Sequence, residues 1–278
     1  IERYYHFHCI SDKDFLDILQ ELEIADKMRW TETRMGFYWN KKVSPWGNPI
    51  ALLKFPGLSF IAKLRYGMHA FMATKRNNWQ PLDKVEATAW IKKWAGTEAY
   101  EVLWRKLFEY KFYEYSKELS GAWIWSRIRR IGRSRYNLFK EKLGYLEGGS
   151  DTFLKAMSDY ITENGGEILL KTPVKKIVIA NGQLQGIETP NGSHAFDKVI
   201  STIPLPYIPG LAPDLPAADV QKYSAQKNIA VVCVIARLKK KLTENFWLNI
   251  NDDAMDIPGM VEYSNRRPLN EHVVYVPY

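Results

Sequence analysis

The clearest fold signal in the chain lies between Gly144 and Pro204, which read GYLEGGSDTFLKAMSDYITENGGEILLKTPVKKIVIANGQLQGIETPNGSHAFDKVISTIP. Near its start, Gly148-Gly149 precedes an amphipathic run that predicts a helix over residues 151–163. Asn164-Gly165-Gly166 then ends that helix, because glycine adopts the left-handed conformation of a helix C-terminus at little steric cost. The residues EILLKT that follow, 167–172, predict a strand.

The second half of the stretch predicts a β-meander. VKKIVIA and QLQGIET flank Asn181-Gly182, a pair suited to a two-residue hairpin turn with positive φ at both central positions. A second pair, Asn191-Gly192, leads towards DKVISTIP (197–204), which predicts a buried strand that ends at proline. A glycine pair, one helix, a strand and a meander thus form a complete supersecondary unit.

Composition limits the classes of protein to which the chain can belong. Its 278 residues are 46% hydrophobic, which is enough for one large domain or two smaller ones. No stretch approaches the ~20 apolar residues of a membrane-spanning helix, and the first residues, IERYYHFHC, do not form a secretory signal. The formal net charge of +8 favours anionic partners such as nucleic acid, lipid headgroups or a phosphorylated cofactor.

The cysteines and histidines give no metal site. Cys9 and Cys233 lie far apart in sequence, and we expect free thiols in a reducing compartment rather than one disulfide. His6 and His8 alternate as strand neighbours would, yet no third ligand lies near them in sequence. The chain begins at an isoleucine and ends within HVVYVPY, so we expect it to be a piece of a longer protein.

Residues 11–143 predict a mainly helical block. A helix is expected over residues 12–23, and further helices are expected to begin at Pro56 and at Pro81. Proline suits the first helical turn because its missing N–H has no partner there anyway. A single long aromatic helix is expected over residues 97–115.

The stretch 144–204 resembles the second FAD-domain segment of the flavin amine oxidase and protoporphyrinogen oxidase superfamily, whose relatives include the carotenoid desaturases and UDP-galactopyranose mutase. In that family a glycine pair opens a helix and a strand carries a short valine motif, TPVKKI here. A β-meander follows, and a last strand ends as DKVISTIP does. The resemblance implies an α+β (α/β) fold, in which a mostly helical insertion and a mixed β-sheet form a substrate domain interleaved with part of an FAD-binding domain.

The resemblance also implies a division of the chain into four segments. Residues 1–10 would form an edge of the FAD-binding domain, 11–143 the helical part of the substrate-binding domain, 144–206 a segment of the FAD-binding domain, and 207–278 the β-rich part of the substrate-binding domain. Within the last segment, NIAVVCVIARL and HVVYVPY predict strands. The sequence contains neither the family's GxGxxG loop nor its C-terminal flavin segment, so we expect this chain alone to bind FAD poorly and to be inactive.

The resemblance implies FAD as the cofactor, contacted by Gly148, Gly149, Val174 and Thr202. Val174 matches the family's motif valine, which meets the adenine through its main-chain groups. A pyrophosphate needs a helix N-terminus and glycines that allow the backbone to approach closely. Because a main-chain contact tolerates many side chains, a plain core position in a strand remains the alternative interpretation of Val174.

The most conspicuous charge feature is a cluster of arginines: Arg127, Arg129, Arg130, Arg133 and Arg135. On a helix, Arg129 and Arg133 share one face. We predict that Arg129, Arg130 and Trp123 bind substrate, because guanidinium groups grip diphosphates and carboxylates. The alternatives are contact with an anionic membrane from which a lipophilic substrate is drawn, and a solvated basic face with a few ion pairs.

The helical block is rich in aromatic residues: Trp90, Trp94, Trp104, Phe108, Phe112, Trp123 and Trp125. Flat apolar walls suit a hydrophobic or conjugated substrate, although core packing is the commoner role of aromatics at helical spacing. We therefore expect a dehydrogenase, desaturase or oxidase that transfers a hydride to flavin. Simple amine oxidation is disfavoured, since the strand at 230–235 lacks the lysine that amine oxidases of the family carry.

Two other functions remain open at the level of the sequence. One is a flavin-dependent sugar-nucleotide mutase, in which the arginines bind the diphosphate. The other is a basic module that binds nucleic acid or a membrane surface, although no helix-turn-helix, zinc-finger or RNA-binding signature is present. We expect a small-molecule substrate, no nucleic acid, no metal, and a cytoplasmic protein for which peripheral membrane contact stays open. The catalytic residues, the electron acceptor and the oligomeric state do not follow from the sequence.

Overall fold

The computed structural model describes residues 2–137 and 140–278 of the chain. The chain divides into two compact units. The large unit comprises Ile1–Met157 and Val231–Tyr278, and the small unit comprises Ser158–Ala230. The α+β fold class predicted from the sequence is confirmed, whereas the division into four domain segments stays a prediction.

Helices and strands alternate irregularly along the described residues. The helices are α1 (Lys13–Glu21), α2 (Pro49–Lys54), α3 (Phe60–Lys75), α4 (Gln80–Asp83), α5 (Ala87–Ala95), α6 (Thr97–Leu103), α7 (Arg105–Phe112), α8 (Gly121–Arg133), α9 (Ser150–Glu163), α10 (Ile208–Leu211) and α11 (Ala217–Ser224). The strands are β1 (His8–Cys9), β2 (Met28–Glu32), β3 (Met35–Trp39), β4 (Lys42–Trp46), β5 (Lys142–Leu146), β6 (Lys176–Ala180), β7 (Gln183–Thr189), β8 (Gly192–Ala195), β9 (Cys233–Leu238), β10 (Trp247–Asn251), β11 (Gly259–Glu262) and β12 (His272–Pro277).

A six-stranded sheet in the order β4-β3-β10-β11-β12-β9 forms the β-rich part of the large unit. Strand β3 runs parallel to β10 while the other neighbours are antiparallel, so the predicted mixed sheet is confirmed. Strands β3 and β4 form a hairpin whose turn residues, Asn40 and Lys41, both have positive φ (49° and 61°). Val261 and Tyr275 of the sheet pack in one buried cluster with Leu143 of β5.

A smaller antiparallel sheet, β1-β5-β2, carries the N-terminal segment of the large unit. Strand β5 is central, and its Gly144 lies opposite His8 on one side and opposite Trp30 on the other. Because β5 ends at Leu146, only a short turn separates this sheet from the start of α9. The sheet therefore brings the N-terminal residues next to the N-terminus of α9.

The helices of the large unit surround a core of aromatic and aliphatic side chains. Trp90, Phe108 and Trp125 are all buried there, and the indole N–H of Trp125 donates to the carbonyl oxygen of Ala73 at 2.9 Å. These three aromatics of the helical block are thus core residues, in agreement with the commoner role expected for them. None of the helices among the described residues combines the length and the apolar composition needed to cross a bilayer.

The helix predicted to begin at Pro56 corresponds to α3, which begins later than predicted. It begins at Phe60 rather than at Pro56, because the hydroxyl of Ser59 accepts the N–H of Ala62 and caps the helix there. A separate helix, α2, precedes it and is capped by the side chain of Asn48. Helix α2 was not predicted from the sequence.

Two helices that were predicted as continuous are divided. The helix expected over residues 97–115 is interrupted at Trp104, whose φ of −125° is not helical, so α6 and α7 replace it. The helix expected to begin at Pro81 is divided between α4 and α5. In both cases the hydrophobic pattern continues across the break, which is why periodicity alone did not reveal it.

The small unit contains the antiparallel meander β6-β7-β8 and the short helices α10 and α11. The hairpin predicted at Asn181-Gly182 is confirmed, with φ values of 52° and 74°. The strands predicted at 167–172 and 197–204 are wrong: both segments are irregular, with Leu170 80% and Ile200 93% exposed. A strand needs a neighbour that accepts its hydrogen bonds, and the described residues place none beside these segments. The strand expected at NIAVVCVIARL (228–238) is likewise shortened to β9, which lies in the large unit.

Candidate functional site

A cavity of about 380 Å³ lies in the large unit between the N-terminal segment, β5 and the start of α9. We call it the α9 cavity, and its volume falls within the range of small-molecule sites. Its apolar and aromatic walls come from Phe15, Tyr145, Leu146, Phe153, Leu154 and Tyr263, and its polar lining comes from Glu2, His6, His8, Gly149 and Ser150.

The carboxylate of Glu2 caps the N-terminus of α9. Its Oε1 accepts the backbone N–H of Ser150 at 2.8 Å and the Ser150 hydroxyl at 3.1 Å, and its Oε2 lies 2.8 Å from His6 Nδ1. Burial alone would raise the pKa of Glu2, but the hydrogen bonds from His6 and Ser150 outweigh it and hold the pKa below its usual value. The positive end of this helix is therefore already matched by a negative charge of the protein.

The glycine pair before α9 forms the turn that admits this carboxylate. Gly148 and Gly149 have φ values of +82° and +83°, which disfavour other residues. A Cβ on Gly149 would lie 2.8 Å from Glu2 Oε1, so the glycine is needed for the close approach. The contact of these glycines with a cofactor stays a prediction. In this structure the anion that meets the helix N-terminus is the Glu2 carboxylate.

His8 forms one wall of the α9 cavity as a neutral imidazole. Its ring stacks on Phe15 with centroids 4.0 Å apart and an interplanar angle of 0°. Burial lowers the pKa of His8 to about 4, and the positive charge of Arg266 adds to this effect. His8 therefore offers hydrogen-bonding nitrogens without a charge at neutral pH.

Arg266 holds two segments that border the cavity. It is 1% exposed, its Nη1 donates to the carbonyl of Gly144 at 2.8 Å, and its Nη2 donates to the carbonyl of His6. The rings of Phe246 and Tyr263 lie 5.0 Å and 4.9 Å from its guanidinium carbon, so cation–π contacts help to stabilise the buried charge. Through Arg266 the N-terminal segment is fixed to β5.

The predicted arginine cluster lies mostly on α8, and its members already have protein partners. Arg130 donates from Nε and Nη2 to the two carboxylate oxygens of Asp12, at 2.9 Å and 2.6 Å. Arg129 lies over the ring of Trp125 at 5.2 Å and donates to Asn77 Oδ1 at 3.0 Å. Arg133 donates to the same oxygen at 3.4 Å, so the two arginines share a face as predicted.

A second cavity, of about 170 Å³, brings Arg129 and Arg130 together. Its remaining lining residues are Ser11, Asp12, Trp125, Ser126 and Arg133. The Nε of Arg129 is buried and has no hydrogen-bond partner among the described residues. Trp123 does not line this cavity. The guanidinium carbon of Arg127 lies 5.0 Å from the centroid of the Trp123 ring, and this ring packs edge-on against Phe112.

Val174 and Thr202, the other residues predicted to bind the cofactor, lie in the small unit. Val174 directly precedes β6 and is 36% exposed, so it is not a plain core position. Its backbone N–H and C=O make no hydrogen bond to the described residues. Its main chain is therefore free for the contact that the resemblance implies. Thr202 is exposed in an irregular segment.

Sequence reasoning missed the roles of Glu2, His8 and Arg266. The alternation of His6 and His8 is a usable signal, but it predicts a metal pair as readily as a cavity wall. Nothing local distinguishes Arg266 from a surface arginine, because its burial depends on the carbonyls of Gly144 and His6, which are distant in sequence.

Comparisons with known proteins agree on the fold. A family model described as flavin containing amine oxidoreductase matches residues 5–278. No match was found among curated proteins. An oxidoreductase of known structure from Methanosarcina mazei is 18% identical, with a TM-score of 0.67, and the match covers 95% of this chain and 63% of that one.

Two further solved structures are similar. Putrescine oxidase bound to putrescine is 12% identical, with a TM-score of 0.67 over 100% of this chain and 64% of that one. Reduced UDP-galactopyranose mutase is 13% identical, with a TM-score of 0.64 over 98% of this chain and 62% of that one. The chain thus spans less than two thirds of the length of each of these proteins.

Proposed function

Because this chain belongs to the flavin-containing amine oxidoreductase family, we propose that it forms the substrate-binding part and a segment of the FAD-binding part of an FAD-dependent oxidoreductase. The α9 cavity would hold the substrate, a hydrophobic or conjugated molecule that is dehydrogenated. The observation that carries the proposal is the lining of this cavity: aromatic and aliphatic walls with polar groups from Glu2, His6, His8 and Ser150. Such a lining suits a flat apolar molecule oriented by a few hydrogen bonds.

The residues present fit FAD in one place. The free main-chain groups of Val174 suit an adenine, whereas the N-terminus of α9 is occupied by the Glu2 carboxylate. When bound, FAD would supply the hydride acceptor. Because the sequence contains no GxGxxG, binding by this chain alone is expected to be weak.

The protein's own residues would orient the substrate and handle its proton. Phe15 and Phe153, whose ring centroids lie 5.4 Å apart, would exclude water from the apolar part of the substrate. His8, neutral at pH 7, would accept or donate one hydrogen bond without adding charge. His6, whose side chain is 58% exposed, lies against Glu2, and this pair would pass the proton released by dehydrogenation to solvent.

Simple amine oxidation is not proposed. The strand β9 contains no lysine, and the resemblance implies a lysine there in the amine oxidases of the family. Dehydrogenation of a C–C or C–N bond that needs no such lysine is therefore favoured.

The experiment compares two bulky substitutions on α9 in the complete natural protein loaded with FAD. Leu154→Trp would fill the α9 cavity, which Leu154 lines, and is expected to raise the KM for a substrate that bleaches the flavin anaerobically. Tyr160→Trp, at an exposed position on the same helix, is the matched control and should leave the KM unchanged. The proposal is wrong if the complete protein binds no FAD, or if Leu154→Trp and Tyr160→Trp give the same KM.

The second cavity supports one alternative function, a flavin-dependent sugar-nucleotide mutase. The unpaired Nε of Arg129 and the neighbouring guanidinium of Arg133 would suit a diphosphate. A mutase would require prior reduction of the flavin and would show no net oxidation of the sugar nucleotide. Flavin bleaching by substrate under anaerobic conditions would therefore decide for the dehydrogenase.

A further inference from the structure

The positive charge of the chain is concentrated in one segment. Residues 33–82, here called the basic segment, contain eight lysines and arginines and no aspartate or glutamate. This number equals the formal net charge of +8, so acidic and basic residues balance in the rest of the chain. The segment includes α2 and α3.

Helix α3 exposes a continuous apolar face. Phe60, Ile61, Leu64, Met68, Phe71 and Met72 recur every three or four residues and are each between 54% and 71% exposed. On the opposite side, Ala62, His69 and Ala73 are buried against the core. The helix is thus apolar on two sides, and one of these sides has no protein cover among the described residues.

Helix α2 extends this face. Ile50 and Leu53 are 49% and 53% exposed, and α2 packs against α3. Together the two helices expose eight large apolar side chains, a patch larger than the scattered apolar residues usual on a soluble monomer.

Basic residues border the apolar face without acidic partners. Lys54, Lys63, Arg65, Lys75 and Arg76 lie on or directly after the two helices. No carboxylate among the described residues pairs with any of them. The guanidinium groups of Arg129 and Arg133 are hydrogen-bonded to Asn77, just beyond the C-terminal end of α3.

We propose that α2 and α3 dock the protein onto the surface of a bilayer that contains anionic lipids. An apolar helix face bordered by lysines and arginines is the arrangement that lies in the headgroup region, with its apolar side chains reaching the acyl chains. The positive charge of these lysines and arginines favours an anionic surface. A purely apolar groove of a partner protein would leave this charge without a negative partner. The inference does not depend on flavin chemistry, and the apolar face lies on α2 and α3 rather than on α8, which carries the arginine cluster.

The test measures co-sedimentation of the complete protein with vesicles of phosphatidylcholine mixed with phosphatidylglycerol, and with vesicles of phosphatidylcholine alone. The wild-type protein is expected to bind the mixed vesicles at least tenfold more tightly than the vesicles of phosphatidylcholine alone. A triple variant, Leu64→Ser with Met68→Ser and Phe71→Ser, should lose this binding. The control, Val234→Ser with Leu242→Ser, removes exposed apolar side chains elsewhere in the large unit and should bind normally.

A charge variant separates the contribution of the lysines to vesicle binding from the contribution of the apolar side chains. Lys63→Gln with Lys75→Gln keeps the apolar face, and each lost lysine should weaken binding to mixed vesicles about fivefold, equivalent to ~1 kcal/mol. Circular dichroism verifies that all variants are folded. The proposal is overturned if the wild type ignores mixed vesicles, or if the triple variant still binds them. It is also overturned if the wild type is an oligomer that the triple variant converts to monomers while neither binds lipid.

Discussion

Replacement of Gly149 by alanine tests the contact between the Glu2 carboxylate and the N-terminus of α9. The new Cβ would lie 2.8 Å from Glu2 Oε1 and 2.9 Å from an Nη of Arg267, and real Cβ atoms hardly ever come so close to a neighbour. The φ of +83° adds a backbone cost. The matched control is Gly47→Ala, also in the large unit, with a φ of +95° and no neighbour of the Cβ closer than 3.5 Å.

The expected magnitudes follow from these distances. Gly47→Ala should cost about 1 kcal/mol of unfolding free energy, the penalty of an L-residue in the left-handed region. Gly149→Ala should cost the same amount plus about 2 kcal/mol more, because Glu2 must move and its hydrogen bonds to Ser150 are weakened. Most of the additional loss should disappear when Glu2 is itself replaced by alanine, since the hydrogen-bonded carboxylate is then absent and the remaining neighbour, the end of the Arg267 side chain, can move aside.

Urea unfolding followed by tryptophan fluorescence measures these differences. Four variants are compared: Gly149→Ala, Gly47→Ala, Glu2→Ala, and Glu2→Ala with Gly149→Ala. The double variant isolates the coupling between residues 2 and 149. The contact between Glu2 and α9 is excluded as the cause if Gly149→Ala costs no more than Gly47→Ala, or if most of the additional cost persists without Glu2.

Three other predictions follow from single contacts. Val174→Pro removes a free backbone N–H and should weaken FAD binding by the complete protein at least tenfold in a titration of flavin fluorescence, whereas Val174→Ala should not. Arg130 and the N–H of Cys9 hold the pKa of Asp12 below its usual value against the effect of burial. The stabilisation is therefore full above the unfolded pKa of ~3.9 and is lost as pH falls through the lower folded value, so urea unfolding should show Asp12→Asn costing stability at neutral pH and much less near pH ~2. Arg266→Met should cost about 3 kcal/mol in urea unfolding, because two buried carbonyls lose their donor, and an unchanged midpoint would contradict this.

Part of the candidate site could be predicted from the sequence. The glycine pair and the shared face of Arg129 and Arg133 both depend on residues close together in the chain. The α9 cavity could not be predicted, because Glu2, Tyr145 and Tyr263 meet there from three distant segments.

Local sequence is sufficient to predict turns and helix ends such as the Asn181-Gly182 hairpin and the glycine stop after α9. These features depend on the φ values that asparagine and glycine tolerate, which need no distant partner. Long-range contacts, by contrast, are needed to explain why residues 167–172 and 197–204 are not strands and why Arg266 is buried. A strand exists only where a neighbour accepts its hydrogen bonds, and a buried charge only where distant groups surround it.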